Sequence, residues 1–277
     1  MIRINKYITI SLLVFLISCT ESKQEPFTFV QVCDTQLGFG DYEKDIESFK
    51  TAVNRINTLK PDFVVICGDL VNHRTDSSFA DFKKVMSGFD MPCYIAPGNH
   101  DVGKVPNDTT LNYYRKTIGK DYYKFQHKEY SFIVTNTQLW KADVAKESEK
   151  HDKWFKKTLK NEHFNKNSVF VIGHYPLYVE NLVEEETYHN LPVIKRKELL
   201  DLFIQNNVVA YLTGHTHKRV INNFDDIQLV SGETTSRNLD ENPLGFRIWE
   251  VSSDTVMHHF IPLQDTILNS ETATKHF

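Results

Sequence analysis

Five apolar runs in this chain each end abruptly in polar residues, and their order restricts the fold more than any other feature. The stops are Asp34-Thr35-Gln36, Gly68-Asp69, Gly98-Asn99-His100-Asp101, Gly173-His174 and Gly214-His215-Thr216-His217. Short apolar runs of this kind read as buried strands, and polar residues just past strand ends are where ligand sites collect in open α/β sheets. Four of the five stops follow a glycine, which permits close approach of another part of the chain. One strand-end aspartate is usually a cap or turn former, and one Gly-His usually means nothing. Five in series point to a shared purpose.

The segments between the stops decide the architecture. Tyr42, Ile46, Phe49, Val53 and Ile56 recur at alternating steps of four and three, one face of a helix over 42–59 with Asp41 as its N-cap. A second helix is expected over 78–88, between the run Phe63 to Cys67 and the run Cys93 to Ala96, so the first half reads βαβαβ with a parallel sheet. In the second half, strands are expected at Tyr130 to Thr135, Ser168 to Ile172 and Val208 to Leu212, with helices over 147–160 and 195–205. Short strands then follow near Ile227 to Val230, Phe246 to Val251 and Val256 to Ile261. The expected fold is α/β, two facing sheets with helices outside in one domain over 27–263, leaving a tail at 264–277. With 40% hydrophobic residues in 277, there is ample material for such a core.

The first residues form a separate unit. Arg3 and Lys6 precede an apolar run from Ile8 to Ile17, then Ser18 and Cys19. That run is too short to span a bilayer, which takes about 20 residues, and reads as the core of a signal peptide over 1–18. Leu16-Ile17-Ser18-Cys19 resembles the lipobox of bacterial lipoproteins, which implies lipidation of Cys19, a tether over 19–26 and a place on the bacterial cell envelope. Cys33, Cys67 and Cys93 remain. An odd number without CxxC spacing indicates buried thiols and no disulfide framework. The net charge of -4 argues against nucleic acid as a partner.

As a series, the five stops resemble the calcineurin-like metallophosphoesterase family, whose blocks read D-x-H, G-D, G-N-H-D, G-H and G-H-x-H. The resemblance extends from Phe27 to about Leu263. It implies a four-layer α/β/β/α sandwich of the metallo-dependent phosphatase type and two divalent metal ions, Mn, Fe, Zn or Mg. By motif, Asp34, Gln36, Asp69 and His217 would hold the first metal. Asp69, Asn99, His174 and His215 would hold the second, with Asp69 bridging. A metal-bridging hydroxide would attack phosphorus, His100 would protonate the leaving group, and Asp101 would orient His100. The chemistry agrees: a phosphoester is anionic, and two cations about 3.5–4 Å apart stabilise both the attacking and the departing oxygen.

Gln36 departs from the family's usual histidine. An amide oxygen suits a hard cation but binds late transition metals less well than imidazole. The D-x-Q block with Leu37-Gly38, His174-Tyr175-Pro176-Leu177 and Gly245-Phe246-Arg247-Ile248 resemble a subgroup related to a serine/threonine protein phosphatase. That implies phosphomonoesters, on a small phosphorylated substrate or a phosphoprotein. A phosphodiesterase or pyrophosphatase, and a metal-binding lipoprotein without turnover, are the other readings. The loop from Tyr178 to Leu191 is expected to border the site, and its Glu180, Glu184, Glu185 and Glu186 either repel polyanions or belong to a plain solvated loop; Tyr178, Tyr188 and Arg237 are lining candidates, with surface or packing positions as the alternative. His73 is open to a supporting role. His258 and His259, adjacent on a strand, should face opposite ways.

Overall fold

The computed structural model describes residues 25–264. The predicted signal segment, Cys19 and nearly all of the predicted tail lie outside them. The first half runs β1 (Phe27–Val32), α1 (Tyr42–Leu59), β2 (Phe63–Cys67), α2 (Asp76–Met86) and β3 (Cys93–Ala96). A helical turn α3 (Asn99–Val102) and α4 (Asp108–Thr117) lead to a hairpin of β4 (Tyr123–His127) and β5 (Tyr130–Val134). Next come α5 (Gln138–Lys141), α6 (Ala145–Phe164), β6 (Ser168–Ile172), α7 (Val193–Gln205) and β7 (Val208–Thr213). The chain closes with β8 (Val220–Phe224), β9 (Ile227–Ser231), β10 (Gly245–Val251) and β11 (Val256–Pro262).

These strands form two sheets, in the orders β11-β10-β1-β2-β3 and β4-β5-β6-β7-β9-β8. β1, β2 and β3 run parallel, as do β5, β6, β7 and β9, while the edge strands β4, β8 and β11 and the inner strand β10 pair antiparallel. The expected four layers are present: α1, α2 and α4 cover the outer face of the first sheet, and α6 and α7 cover the second. Helix α1 starts where predicted, the Asp41 carboxylate accepting from the Lys44 N–H at 3.1 Å, and buries Phe49, Val53 and Ile56. Each such side chain contributes roughly 1.5–3 kcal/mol by leaving water.

Aromatic rings join the sheets. Phe29 stacks on Phe63 with centroids 5.0 Å apart, Phe132 stacks on Phe170 at 4.9 Å, and Phe29 meets Phe132 edge-on at 5.4 Å. Gln31 of β1 reaches across, its amide donating to the carbonyls of Thr213 at 3.0 Å and Val230 at 3.1 Å. Since Asp34, Gln36, Asp69, Asn99, His100 and Asp101 follow strands of one sheet and His174, His215 and His217 follow strands of the other, this layer fixes the two parts of the site against each other.

The sequence pattern does not mark β4, β8, α4 or the single turns α3 and α5. The two strands are sheet edges, partly solvated, with polar-interrupted sequences that lack a buried run. His258 does face inward toward Trp249 and Arg247 while His259 is exposed. Cys33 and Cys67 are buried and Cys93 partly so, all three as free thiols.

Candidate metal centre

Every predicted metal ligand and catalytic residue lies just beyond the end of a parallel strand, with Asp34 and Gln36 after β1, Asp69 after β2, Asn99, His100 and Asp101 after β3, His174 after β6, and His215 and His217 after β7. The local backbone is unusual there. Asp34, Gln36, Asp69, His215 and His217 all have positive φ, between 29° and 70°, and make up five of the eleven such non-glycine residues described. That region is sterically poor for residues with a β-carbon, costs of order 1–3 kcal/mol each, and concentrates at functional sites. The glycines have a related purpose. A β-carbon on Gly98 would overlap the Asp69 carboxylate, and one on Gly214 would overlap that of Asp34.

The histidines are aimed by backbone carbonyls. His174 Nδ1 donates to the Cys67 carbonyl at 2.8 Å, which turns Nε2 toward Asp69 Oδ2 and Asn99 Oδ1, each 3.2 Å away. His215 Nε2 donates to the Tyr188 carbonyl at 3.0 Å, leaving Nδ1 3.1 Å from His174 Nε2. His217 Nδ1 donates to the Arg237 carbonyl at 2.7 Å, and its Nε2 lies 3.6 Å from Asp34 Oδ1. Asp69, His174 and His215 thus bring three donor atoms within 4.8 Å of one another. Fixing one ring nitrogen as a donor so that the other presents its lone pair is how metal-binding imidazoles are oriented.

Gln36 completes the first half of the set. Its Oε1 is buried with no hydrogen-bond partner among the described residues, an arrangement that costs about 1–3 kcal/mol unless something else supplies positive charge. Carboxylate, amide and imidazole donors together suit hard to borderline divalent cations, so the residues present fit a metal pair. Burial alone would depress the His174 imidazole, but Asp69 holds it up at about 9. Burial likewise disfavours the Asp69 carboxylate, yet the His174, His100 and His215 rings drive it below the usual range. Asp34 goes the other way: burial pushes its carboxyl up, and His217 and His174 offset only part of that.

His100 and Asp101 differ from expectation in their partners. His100 Nδ1 donates to the Asn72 carbonyl at 2.8 Å. The Asp101 carboxylate accepts instead from the backbone N–H groups of Gly98 at 2.7 Å and Leu70 at 3.0 Å. Asp101 therefore holds the turn that carries Asn99 and His100 and does not touch the imidazole, because the N-terminus of α3 draws its side chain inward. Asn72, which neither motif nor spacing marks, is what orients His100.

The loop after β6 also differs from its predicted character. Tyr178 is core, packed among Leu177, Leu191 and Leu199, whereas Tyr188 lies at the site, its ring 4.8 Å from that of His215. Glu184 turns inward to accept from the N–H groups of Val179 at 2.8 Å and Glu180 at 2.7 Å, and Glu186 pairs with Lys141 at 2.9 Å. Glu180 and Glu185 line a side cavity of about 400 Å³ with His189, Thr216 and Lys218. Glu184 and Glu186 are thus engaged within the loop and by Lys141, while Glu180 and Glu185 line a cavity that borders Thr216 and His189. His73 is exposed, beside Asn72.

Residues 27–219 match the family model described as calcineurin-like phosphoesterase, a span that contains every predicted ligand. The chain belongs to the calcineurin-like phosphoesterases. It is accordingly a metal-dependent phosphoesterase, in a family that uses a dinuclear divalent metal site. It is 30% identical over 266 residues to the serine/threonine-protein phosphatase CPPED1 of Bos taurus, covering 87% of this chain and 85% of that one. The Homo sapiens protein of the same name is 30% identical over 271 residues, with the same coverage. A probable glycerophosphodiester phosphodiesterase of Arcobacter nitrofigilis is 28% identical over 206 residues, 68% of this chain and 71% of that one. Among solved structures, a dimetal phosphatase from Danio rerio has the same fold, with a TM-score of 0.65 at 13% identity, covering 87% of this chain and 98% of that one.

Proposed function

We propose that this protein is an exported, lipid-anchored phosphomonoesterase with two metals. The observation that carries the reading is the set of three imidazoles, each pinned by a backbone carbonyl: the free nitrogen of His174 faces Asp69 and Asn99, that of His217 faces Asp34, and that of His215 lies beside His174 Nε2. Asp34, Gln36, Asp69 and His217 would hold one cation, and Asp69, Asn99, His174 and His215 the other. When bound, the cations supply positive charge to the phosphoryl oxygens and an acidified water as nucleophile.

The chain's own residues do the rest. His100 donates Nδ1–H to the Asn72 carbonyl, which leaves Nε2 to carry a proton to the leaving oxygen. General-acid help of this kind is worth roughly 10²- to 10⁴-fold. Asp101 fixes the turn beneath it. The similarity to proteins named serine/threonine phosphatases supports monoesters, and the lipobox-like Leu16-Ile17-Ser18-Cys19 supports an envelope anchor. Similarity to the probable glycerophosphodiester phosphodiesterase favours diesters as the second reading.

Paired assays on p-nitrophenyl phosphate and its bis ester with Mn²⁺ separate the two, and a clear preference for the diester would overturn the first. His100→Ala should abolish most turnover at unchanged metal content. A protein that loads metal yet hydrolyses neither ester would be a metal-binding lipoprotein without turnover. Labelled palmitate incorporated by the native chain and absent from Cys19→Ser tests the anchor.

A further inference from the structure

Two cation–aromatic pairs flank the metal centre, one against each imidazole that follows β7. On one side, the Asn99 amide donates to the Tyr188 hydroxyl at 3.3 Å, and Lys104 Nζ lies 4.9 Å from the Tyr188 ring centre. On the other, Phe39 packs 4.6 Å from His217, with the Arg237 guanidinium 6.0 Å from the Phe39 ring. Arg74 joins the first flank: its guanidinium nitrogens lie 3.6 and 3.8 Å from where a β-carbon on Gly103 would stand, next to Lys104.

Arg74, Lys104 and Arg237 come from three separate segments, are all exposed, and have no carboxylate partner among the described residues. Four acids close to these segments in the chain or on the adjoining loop have partners of their own. Asp41 caps α1, Asp76 accepts from the Tyr113 hydroxyl, Asp240 accepts from Asn242 and Arg219, and Glu184 accepts from its own loop. Two divalent cations held by the proposed ligand set would attract the scissile phosphate. The three side-chain cations lie outside that floor and serve a different charge.

We propose that this rim selects phosphoesters whose leaving group carries a second anionic group, a carboxylate or a phosphate, on a carbon skeleton that lies against Tyr188 or Phe39. The inference rests on the phosphoesterase reading of the same centre and names its substrate class. Cations held over aromatic faces are pre-oriented yet still able to pair, and anions drawn to such a rim concentrate at the site.

The test compares two non-hydrolysable ligands of the metal-loaded protein by calorimetry: 3-phosphonopropionate, with a second anion, and propylphosphonate, without one. An exposed ion pair is worth up to about five-fold in binding, so the native chain should prefer the first by about 5- to 20-fold. Lys104→Gln combined with Arg237→Gln should bring the ratio below about two-fold, whereas Lys197→Gln, on the exposed side of α7, should keep it. Equal binding of the two ligands by the native chain, no binding of either, or a ratio that survives the double substitution would overturn the rim. Failure of the underlying reading looks different: the predicted binding ratio with no hydrolysis of any phosphoester removes the catalysis and keeps the rim.

Discussion

The Gln36 amide nitrogen donates to Asn72 Oδ1 at 3.3 Å, and this bond turns Gln36 Oε1 into a buried space where it has no hydrogen-bond partner among the described residues. An orphaned acceptor beside Asp34, at a residue with φ of 29°, is a costly arrangement. A divalent cation would offset that cost. Gln36→Ala should therefore reduce bound metal from two per chain toward one, and Gln36→His should tighten Zn²⁺ or Mn²⁺ at that position. Metal analysis after graded dialysis reads both. Two equivalents retained by Gln36→Ala at native affinity would exclude Gln36 from the ligand set.

The same bond separates what was legible in the sequence from what was not. Strand ends could be read because a buried parallel strand is a run of apolar residues and its stop is local. Thus Asp34, Asp69, Asn99, His174, His215 and His217 were named from the sequence, and all lie beside the strands expected of them. The carbonyls of Cys67, Tyr188, Arg237 and Asn72 that aim the rings were not, since each belongs to a residue distant in sequence whose side chain says nothing about it. Tyr178 and Tyr188 shared one standing as loop aromatics. Only the fold of that loop, set by Arg196 and Glu184, sends the first into the core and the second to the site.

Metal removal should be visible in stability as well as activity. A ligand at 100 times its dissociation constant stabilises the native state by about 2.7 kcal/mol, and for a domain of this size 1 kcal/mol shifts Tm by about 2–4 °C. Chelation should therefore lower Tm by about 5–10 °C, and restoring Mn²⁺ or Zn²⁺ should recover it. Asp69→Asn, which alters the proposed bridging residue, should abolish this dependence. A chelator-sensitive Tm in that variant equal to the native shift would show that the metal binds elsewhere.

Arg196 is fully buried and donates to the carbonyls of Leu182, Glu184, Glu185 and Leu191, the longest of these bonds 3.3 Å. It thereby holds the 179–190 loop whose Tyr188 carbonyl orients His215. Arg196→Leu leaves those carbonyls without their donor, at about 1–3 kcal/mol for each one that stays buried, so the loop should detach while the sheets remain. New proteolytic cleavage within 179–190, a fall in activity and only a modest change in Tm are expected. Native-like protection of the loop from protease would show that Glu184 and Asn190 hold it unaided.

His151 provides a pH test remote from the metal centre. Its Nε2 bonds the Thr135 hydroxyl at 2.8 Å, its Nδ1 has no hydrogen-bond partner among the described residues, and Tyr122, Trp140, Trp154 and Phe155 surround the ring. Burial holds its pKa down at about 4, with Asp152 and Asp121 opposing only in part. The unfolded chain binds this proton near pH 6.5 and the folded chain does not until about pH 4, so protonation favours unfolding across that window. Stability should be full above pH 6.5 and should fall by roughly 2–3 kcal/mol from this group alone between pH 7 and 4.5. Carboxylates and His258, held low in the same way, add their own slopes, so the informative quantity is the difference between the native chain and His151→Leu. Urea melts at pH 7, 5.5 and 4.5 should show a shallower acid decline in the variant. Parallel curves would mean that His151 takes up its proton without unfolding the domain, through an opening of the Trp140–Trp154 pocket.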